Sequence, residues 1–182
     1  MLISIDCSIA KCGFAVIDGA KIKRSGVITT NDKDTMTDRL FELSEDLKEI
    51  LGHKDHTITE AVIETRLAFS YKRSTGKGGK PLNQAALHKN SEAIGAIRLT
   101  FRQWGIPVHD VEATLWKAGR PKEFDKMIVS EMLGRPVTSD EADACRLGLW
   151  FNEMGRAILR QRVQDKERSG AIVGDGGRRK GN

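Results

Sequence analysis

The sequence has no apolar run close to the roughly 20 residues that a membrane-spanning helix needs, so we expect no membrane-embedded segment. Its first ten residues, MLISIDCSIA, also lack the basic start and apolar stretch of a secretory signal. Aromatic residues make up only 5%, but 39% hydrophobic and 30% charged residues are typical of a globular chain. The length of 182 residues suits one domain with or without a tail, and we expect it in the cytoplasm.

Cysteine is scarce as well, with only Cys7, Cys12 and Cys145. An odd number of cysteines in a chain long enough to build its own core favours reduced thiols over a disulfide framework. No two cysteines have CxxC spacing and none of the four histidines lies near a cysteine in the sequence, which argues against a zinc site. We therefore interpret the three as small buried hydrophobic side chains.

Charge is divided unevenly along the chain. Residues 1–63 contain 8 basic and 11 acidic side chains, and residues 64–182 contain 22 basic and 14 acidic ones. The net charge is thus −3 for the first segment and +8 for the second. A basic half favours a polyanionic partner such as nucleic acid, because clustered cations release the counterions condensed on it.

The hydrophobic pattern opens with a three-strand meander. Residues 2–6 and 13–18 are apolar runs typical of buried strands. Asp18-Gly19 favours a two-residue hairpin turn, so the segment from Ala20 should return antiparallel to the second strand.

Helices and two further strands follow the meander. TSDE at 138–141 predicts a capping box, in which Thr138 and Glu141 satisfy each other's free amide groups. The order βββαβαβ, followed by helices, predicts an α/β fold with a mixed five-stranded sheet flanked by helices. We place one domain in residues 1–163 and a disordered basic tail in 164–182. The remaining predicted elements are a helix over 36–50, a strand over 59–65, a helix over 82–104, a strand from 106, short helices within 112–133 and a last helix from about 138 to 163.

Four acids stand where this fold could bring them together. Asp6 and Glu64 each end an apolar strand, and they share one sheet edge if those strands are parallel neighbours. Asp140 and Asp143 are three residues apart, so they share one face of the last helix. Crowded carboxylates need a neutralising cation, and oxygen-only ligands select Mg²⁺ or Mn²⁺.

Each acid also has an ordinary structural interpretation. Asp6 could form a turn at the strand end, and Glu64 could be the first solvated residue after its strand. Asp140 and Asp143 could complement the positive end of the helix dipole. The joint placement of the four favours chemistry over these alternatives.

Three motifs in this order resemble those of the RuvC family of Holliday junction resolvases, which has the RNase H-like fold. They are IDCSIAKCGFAVID at 5–18, AVIET at 61–65 and SDEADACRLGLW at 139–150. The resemblance implies that Asp6, Glu64, Asp140 and Asp143 are catalytic and bind two Mg²⁺ ions, for which Mn²⁺ can substitute. It further implies cleavage to 5′-phosphate and 3′-hydroxyl ends by a homodimer, which presents two equivalent sites to the two equivalent strands of a four-way junction.

The chain departs from the family in two places. Cys7-Ser8 replaces the Pro-Gly that often follows the first acid, and the loop after Glu64 is long. These departures leave the metal site intact. They put the substrate in doubt between four-way junctions and other branched DNA such as flaps and forks.

The stretch of residues 65–91 contains six basic side chains and no acid, as expected of a loop that follows a DNA backbone. Family members can insert an aromatic side chain into the junction centre from the equivalent place. The alternatives are a solvated flexible connection for the loop, core packing for Phe69 and a solvated helix face for Lys117. The predicted DNA-binding residues are Arg66, Phe69, Tyr71, Lys72, Arg73, Lys77, Lys80 and Lys117.

A structure-selective, metal-dependent DNA endonuclease is thus the leading hypothesis. An actin-like or sugar-kinase-type phosphotransferase also begins with an acid on its first strand, but it needs two related lobes, and 182 residues supply one. A branched-DNA-binding protein without cleavage activity is a third possibility, which the presence of all four acids disfavours.

Overall fold

The computed structural model describes residues 1–52, 57–65, 84–117, 119 and 121–174. Its elements follow the predicted order of three strands, a helix, a strand, a helix, a strand and further helices. The strands are β1 (Leu2–Asp6), β2 (Lys11–Asp18), β3 (Lys21–Thr29), β4 (Glu60–Thr65) and β5 (Val108–Glu112). The helices are α1 (Met36–Leu51), α2 (Gln84–Gln103), α3 (Ala113–Trp116), α4 (Lys122–Leu133), α5 (Ser139–Trp150) and α6 (Arg156–Gly174), with a π-helical turn (Phe151–Gly155) between the last two.

All five strands form one mixed sheet in the order β3-β2-β1-β4-β5. The first three strands pair antiparallel, whereas β4 lies parallel to β1 and β5 lies parallel to β4. The hairpin between β2 and β3 turns one residue later than predicted. Asp18 pairs with Lys21, so the two-residue loop is Gly19-Ala20, and Gly19 adopts the left-handed conformation with φ 59°.

Side chains alternate between the two faces of the sheet, and each face is covered by different helices. Ile3 and Ile5 lie in a core that also contains residues of α1 and α2. Leu2 and Val62 lie on the opposite face, in a cluster with Leu147 of α5. Because strand side chains alternate with period two, Ser4 and Asp6 also belong to the face covered by α5.

The last helix extends further than predicted. Helical structure continues through the π turn and α6 to Gly174, whereas the loss of apolar periodicity suggested an end near Val163. The segment QRVQDKERS consists mainly of good helix formers, so it continues the helix without an apolar face. The tail expected from residue 164 therefore starts as helix, and its last part, 175–182, lies outside the described residues. No helix in the described ranges is long and apolar enough to span a bilayer.

Candidate active site at the sheet edge

Asp6 and Glu64 lie side by side at the end of two parallel strands. The pairing of Ile5 with Ile63, continued by one residue, sets Asp6 opposite Glu64. Both side chains therefore point to the face covered by α5, as the sequence predicted for neighbouring parallel strands. Glu64 is only 4% exposed.

Close approach of α5 to this face depends on small residues. A Cβ at Gly13, the residue opposite Asp6 in β2, would collide with the backbone carbonyl of Asp140. Further along α5, a Cβ at Gly148 would overlap the side chains of Ile17 and Ser4. The Ser4 hydroxyl donates to the Ala144 carbonyl at 2.7 Å and so ties β1 to α5. The start of α5 is thus held against the strand end that carries Asp6.

Thr138 caps α5 as predicted, since its hydroxyl accepts a hydrogen bond from the Glu141 amide at 3.2 Å. The reciprocal half of the predicted capping box is present as well, since the Thr138 backbone amide donates to the Glu141 carboxylate. The Glu141 carboxylate binds the Arg135 guanidinium and accepts from the Ser25 hydroxyl at 2.7 Å. Burial alone would raise the pKa of Glu141, but the hydrogen bonds from Arg135 and Ser25 and the Arg135 charge lower it below its ordinary value. Glu141 is therefore a structural ion-pair partner.

Lys117 connects the acids at the strand ends, Asp6 and Glu64, with the acids of α5, Asp140 and Asp143. Its ammonium lies 2.9 Å from a carboxylate oxygen of Glu64 and 2.9 Å from one of Asp143. Trp116 donates its indole N–H to Oε2 of Glu64 at 3.1 Å. Burial would lower the pKa of Lys117, but its hydrogen bonds to Glu64 and Asp143 and the charges of Glu64 and Asp6 raise it. Lys117 is therefore charged at neutral pH.

The pKa of Asp6 reflects the electrostatic environment of the site. Burial, followed by the negative charges of Glu64, Asp143 and Asp140, raises the pKa of Asp6 to about 7, and Lys117 offsets only part of this. Among the described residues, the charges of three other carboxylates thus act on Asp6, and Lys117 opposes them. The site has an excess of negative charge at the point where the strands end.

The donor set fits a hard divalent cation in chemistry and in charge. All four acids offer carboxylate oxygens, which Mg²⁺ and Mn²⁺ prefer, and an added cation would lower the pKa of Asp6. Among the described residues, however, no three Asp, Glu, His or Cys side chains converge closely enough to enclose an ion. The Lys117 ammonium stands between Glu64 and Asp143, where it takes over part of the charge neutralisation.

The structure therefore brings Asp6, Glu64, Asp140, Asp143 and Lys117 into one electrostatically coupled group. The sequence did not predict the hydrogen bond between Trp116 and Glu64, and it did not predict the ion pair between Arg135 and Glu141. The aromatic side chain next to a candidate lysine was the available signal for the first, whereas the sequence carried none for the second. The other predicted DNA-binding residues lie outside the described residues: Arg66, Phe69, Tyr71, Lys72, Arg73, Lys77 and Lys80.

Comparison with known proteins agrees with the three motifs. The chain is 27% identical to "Crossover junction endodeoxyribonuclease RuvC" of Parafrankia sp. (strain EAN1pec), over 95% of this chain and 97% of that protein. Its fold is similar to Thermus thermophilus RuvC in complex with a Holliday junction substrate, with a TM-score of 0.65, 20% identity, and coverage of 85% of this chain and 95% of the other. A second Thermus thermophilus RuvC structure matches with a TM-score of 0.59, 18% identity, and coverage of 85% and 96%. No family model matches the chain. The predicted resemblance to RuvC and the RNase H-like fold are both confirmed.

Proposed function

Because the chain is a RuvC relative in sequence and in fold, we propose that it is a metal-dependent endonuclease that resolves Holliday junctions by paired, symmetric nicks. One observation carries the proposal. Asp6 and Glu64 are adjacent across parallel strands, and the start of α5 is packed against the same edge. Acids far apart in sequence thus meet at one sheet edge, which supports a phosphodiester-cleaving metal site there.

Asp6, Glu64, Asp140 and Asp143 would hold two Mg²⁺ ions, and Mn²⁺ could replace them. When bound, such a pair supplies an activated water and stabilises the leaving oxygen of an in-line phosphodiester displacement. Asp6 has to lose its proton to act as a ligand. Its pKa of about 7 in the metal-free protein makes that proton removable near neutral pH.

Lys117 has a position suited to a phosphate as well as to the acids. Its ammonium lies at the site entrance with 24% of the side chain exposed, while the Glu64 side chain is 2% exposed. With cations held by Glu64 and Asp143, Lys117 would be able to donate to a non-bridging oxygen of the scissile phosphate. Trp116 meanwhile holds Glu64 in orientation through the indole N–H.

We further propose that the substrate is four-way DNA bound by a homodimer inside the cell. A twofold dimer presents two equivalent sites to a junction that has two equivalent strands. The segment with the predicted residues Arg66, Lys72, Arg73, Lys77 and Lys80 begins in the sequence two residues after Glu64, just beyond the last residue of β4. Phe69 and Tyr71, in the same segment, are the side chains we propose for base stacking.

The first test of this function is Asp6→Asn, which keeps the shape of the side chain and removes its charge. We expect at least a hundredfold loss of Mg²⁺-dependent cleavage of a labelled four-way junction, with binding nearly unchanged, because the site stabilises the reacting phosphate electrostatically. Gel assays should use junction, flap, fork, duplex and single-stranded DNA, each with Mg²⁺ and with EDTA. Paired nicks restricted to the junction support the proposal.

Asp18→Asn is the matched control, because Asp18 is an exposed residue at the far end of β2. This variant should cleave as the wild type does. Full cleavage by Asp6→Asn would remove Asp6 from the chemistry. Cleavage of flaps or forks in preference to junctions would replace the proposed substrate by another branched DNA.

A further inference from the structure

The two cysteines beside the candidate site face each other across a β-hairpin. In the antiparallel pairing of β1 with β2, Asp6 lies opposite Gly13. The next step of the same register sets Cys7 opposite Cys12. Directly opposed residues in such a pair have Cα atoms about 4.5 to 5.5 Å apart, which falls within the range that a disulfide can bridge.

Both cysteine side chains also lie on the same face of the hairpin. Cys12 is buried in the core formed with α1 and α2, and Cys7 is partly buried against that same core. Cys7 and Cys12 are hydrogen-bonded to each other, so their sulfur atoms are in contact range. Both are free thiols.

The two thiols differ in access to solvent. Cys12 is 1% exposed, whereas Cys7 has intermediate exposure at the end of β1. A small oxidant in solution therefore reaches Cys7 first, and Cys12 is placed to react with the product. This division into an accessible thiol and an adjacent resolving thiol is typical of reversible redox sites.

From this geometry we propose that Cys7 and Cys12 form a peroxide-sensitive thiol pair, which closes to a disulfide beside Asp6 and lowers the activity of the site. The Cys7 thiol loses its proton, its sulfur attacks one peroxide oxygen and the O–O bond breaks; the leaving hydroxide takes up that proton, so a sulfenic acid and one water are formed. The Cys12 thiol then attacks that sulfur, the S–O bond breaks, and a second water leaves. Two thiols are oxidised by two electrons in total, and one peroxide is reduced to two waters.

The bond acts on the site through the backbone. Cys7 points to the face opposite to Asp6, but it is the next residue in the chain. Closing the bond brings the two sulfur atoms from contact to about 2.0 Å and so pulls on the end of β1, which positions the Asp6 carboxylate relative to Glu64. Displacements of this kind can reduce a reaction rate by about tenfold or more.

Mass spectrometry tests bond formation without any assay of activity. The native protein is treated with hydrogen peroxide, free thiols are alkylated, and the chain is cut with trypsin, which cleaves after Lys11 and so separates Cys7 from Cys12. We expect residues 1–11 and 12–21 as one linked pair that separates on reduction with dithiothreitol. Two separately alkylated peptides, or a Cys7 oxidised to sulfinic acid with Cys12 alkylated, would overturn the proposal.

Cleavage of the four-way junction tests the effect on the site, and this part rests on the proposed function. The oxidised wild type should cleave about tenfold more slowly than the reduced one, with recovery in dithiothreitol. Cys7→Ser and Cys12→Ala should be insensitive to peroxide, whereas Cys145→Ala should respond as the wild type does, since Cys145 lies on the other face in α5. A protein that contains the Cys7–Cys12 disulfide and cleaves at the full rate would refute the proposal that the bond lowers activity. A reduced wild type that cleaves no DNA would refute the proposed function and leave the mass result valid.

Discussion

At the scale of single residues, Lys117 supplies the positive charge that balances the buried acids of the site when no divalent cation is bound. Its ammonium lies 2.9 Å from carboxylate oxygens of both Glu64 and Asp143, and the two acids are almost completely buried. Buried carboxylates without a partner would repel each other and take up protons. Lys117 therefore acts as an internal counterion, and a divalent cation that binds the same oxygens competes with it.

Lys117→Met tests this competition, because methionine keeps much of the apolar stem and removes the charge. We expect the free energy of unfolding in EDTA to fall by about 2 kcal/mol, less than for a fully buried pair because part of Lys117 is exposed. Saturating Mg²⁺ should restore more stability to the variant than it adds to the wild type. Urea unfolding in EDTA and in Mg²⁺ measures both quantities.

Lys48→Met provides the matched control. Lys48 pairs with Glu45 on the exposed surface of α1, where an ion pair contributes less than about 1 kcal/mol. This variant should unfold like the wild type, with the same response to Mg²⁺. If Lys117→Met lost equal stability in EDTA and in Mg²⁺, the lysine and the cation would not share ligands.

Single residues also show how far the sequence led to the site. The four acids could be predicted because Asp6 and Glu64 stand at the ends of apolar strands, where a charge is unusual, and Asp140 and Asp143 have the spacing that places them on one face of a helix. The bridge by Lys117 could not, because it depends on the path of the short helix α3, whose four residues have no periodicity to read. The ion pair of Glu141 with Arg135 was hidden for a similar reason, since it depends on how the α4–α5 loop folds back.

At the scale of elements, the site depends on the contact between β2 and the start of α5. Gly13 is the residue that permits this contact, because any Cβ there would overlap the carbonyl of Asp140. A glycine within a strand often marks such a close approach of another backbone. The contact fixes the distance between the helix acids and the strand acids.

Gly13→Ala should therefore damage stability and activity together. The added methyl group meets backbone atoms, which yield less readily than the end of a side chain, so we expect a loss of about 2 kcal/mol or more in the free energy of unfolding. Junction cleavage should fall by at least tenfold, because Asp140 and Asp143 are pushed away from Asp6. Urea unfolding and single-turnover cleavage measure the two effects.

The same substitution at Gly95 is the control. Gly95 is exposed on α2, and a Cβ there meets nothing within 4 Å. Gly95→Ala should stabilise the protein by about 0.5 to 1 kcal/mol, since alanine favours a helix interior, and leave cleavage unchanged. Normal cleavage by Gly13→Ala would mean that the position of α5 does not set the activity.

Elements were predictable where the apolar period was strong. The mixed sheet and its opening meander followed from βββαβαβ, and α1 was recognisable from its apolar spacing. The parallel pairing of β1 with β4 was a condition of the site hypothesis, which the structure meets. The turn after Asp18 was misplaced by one residue because Asp18 still pairs with Lys21. The end of α6 was placed too early, since a polar helix beyond the core carries no apolar stripe.

At the scale of the whole molecule, charge is separated along the chain. The first 63 residues carry an excess of three acids, and the remainder carries an excess of eight basic residues, for a net charge of +5. The candidate site itself is acidic, so it would repel DNA without cations and a basic surface nearby. The basic stretch after Glu64 is the part of the sequence best suited to overcome this repulsion.

We expect this stretch to determine how DNA affinity depends on salt. Replacing Lys72, Arg73, Lys77 and Lys80 by glutamine should weaken junction binding. It should also reduce the magnitude of the slope of log K against log salt by as much as about three to four, because each phosphate contact that is lost means about one counterion fewer released on binding. Fluorescence anisotropy with catalytically inactive Asp6→Asn protein, titrated at several salt concentrations, gives the slope.

A second set of four substitutions separates a local effect from one of net charge. Lys21, Lys23, Lys33 and Lys48 lie in β3, α1 and the loop between them, and replacing them by glutamine lowers the net charge from +5 to +1, as the first set does. If DNA follows the basic stretch, only the first set flattens the salt slope. Equal flattening by both sets would show that the protein attracts DNA through its overall charge, and the stretch after Glu64 would lose its place in the DNA path.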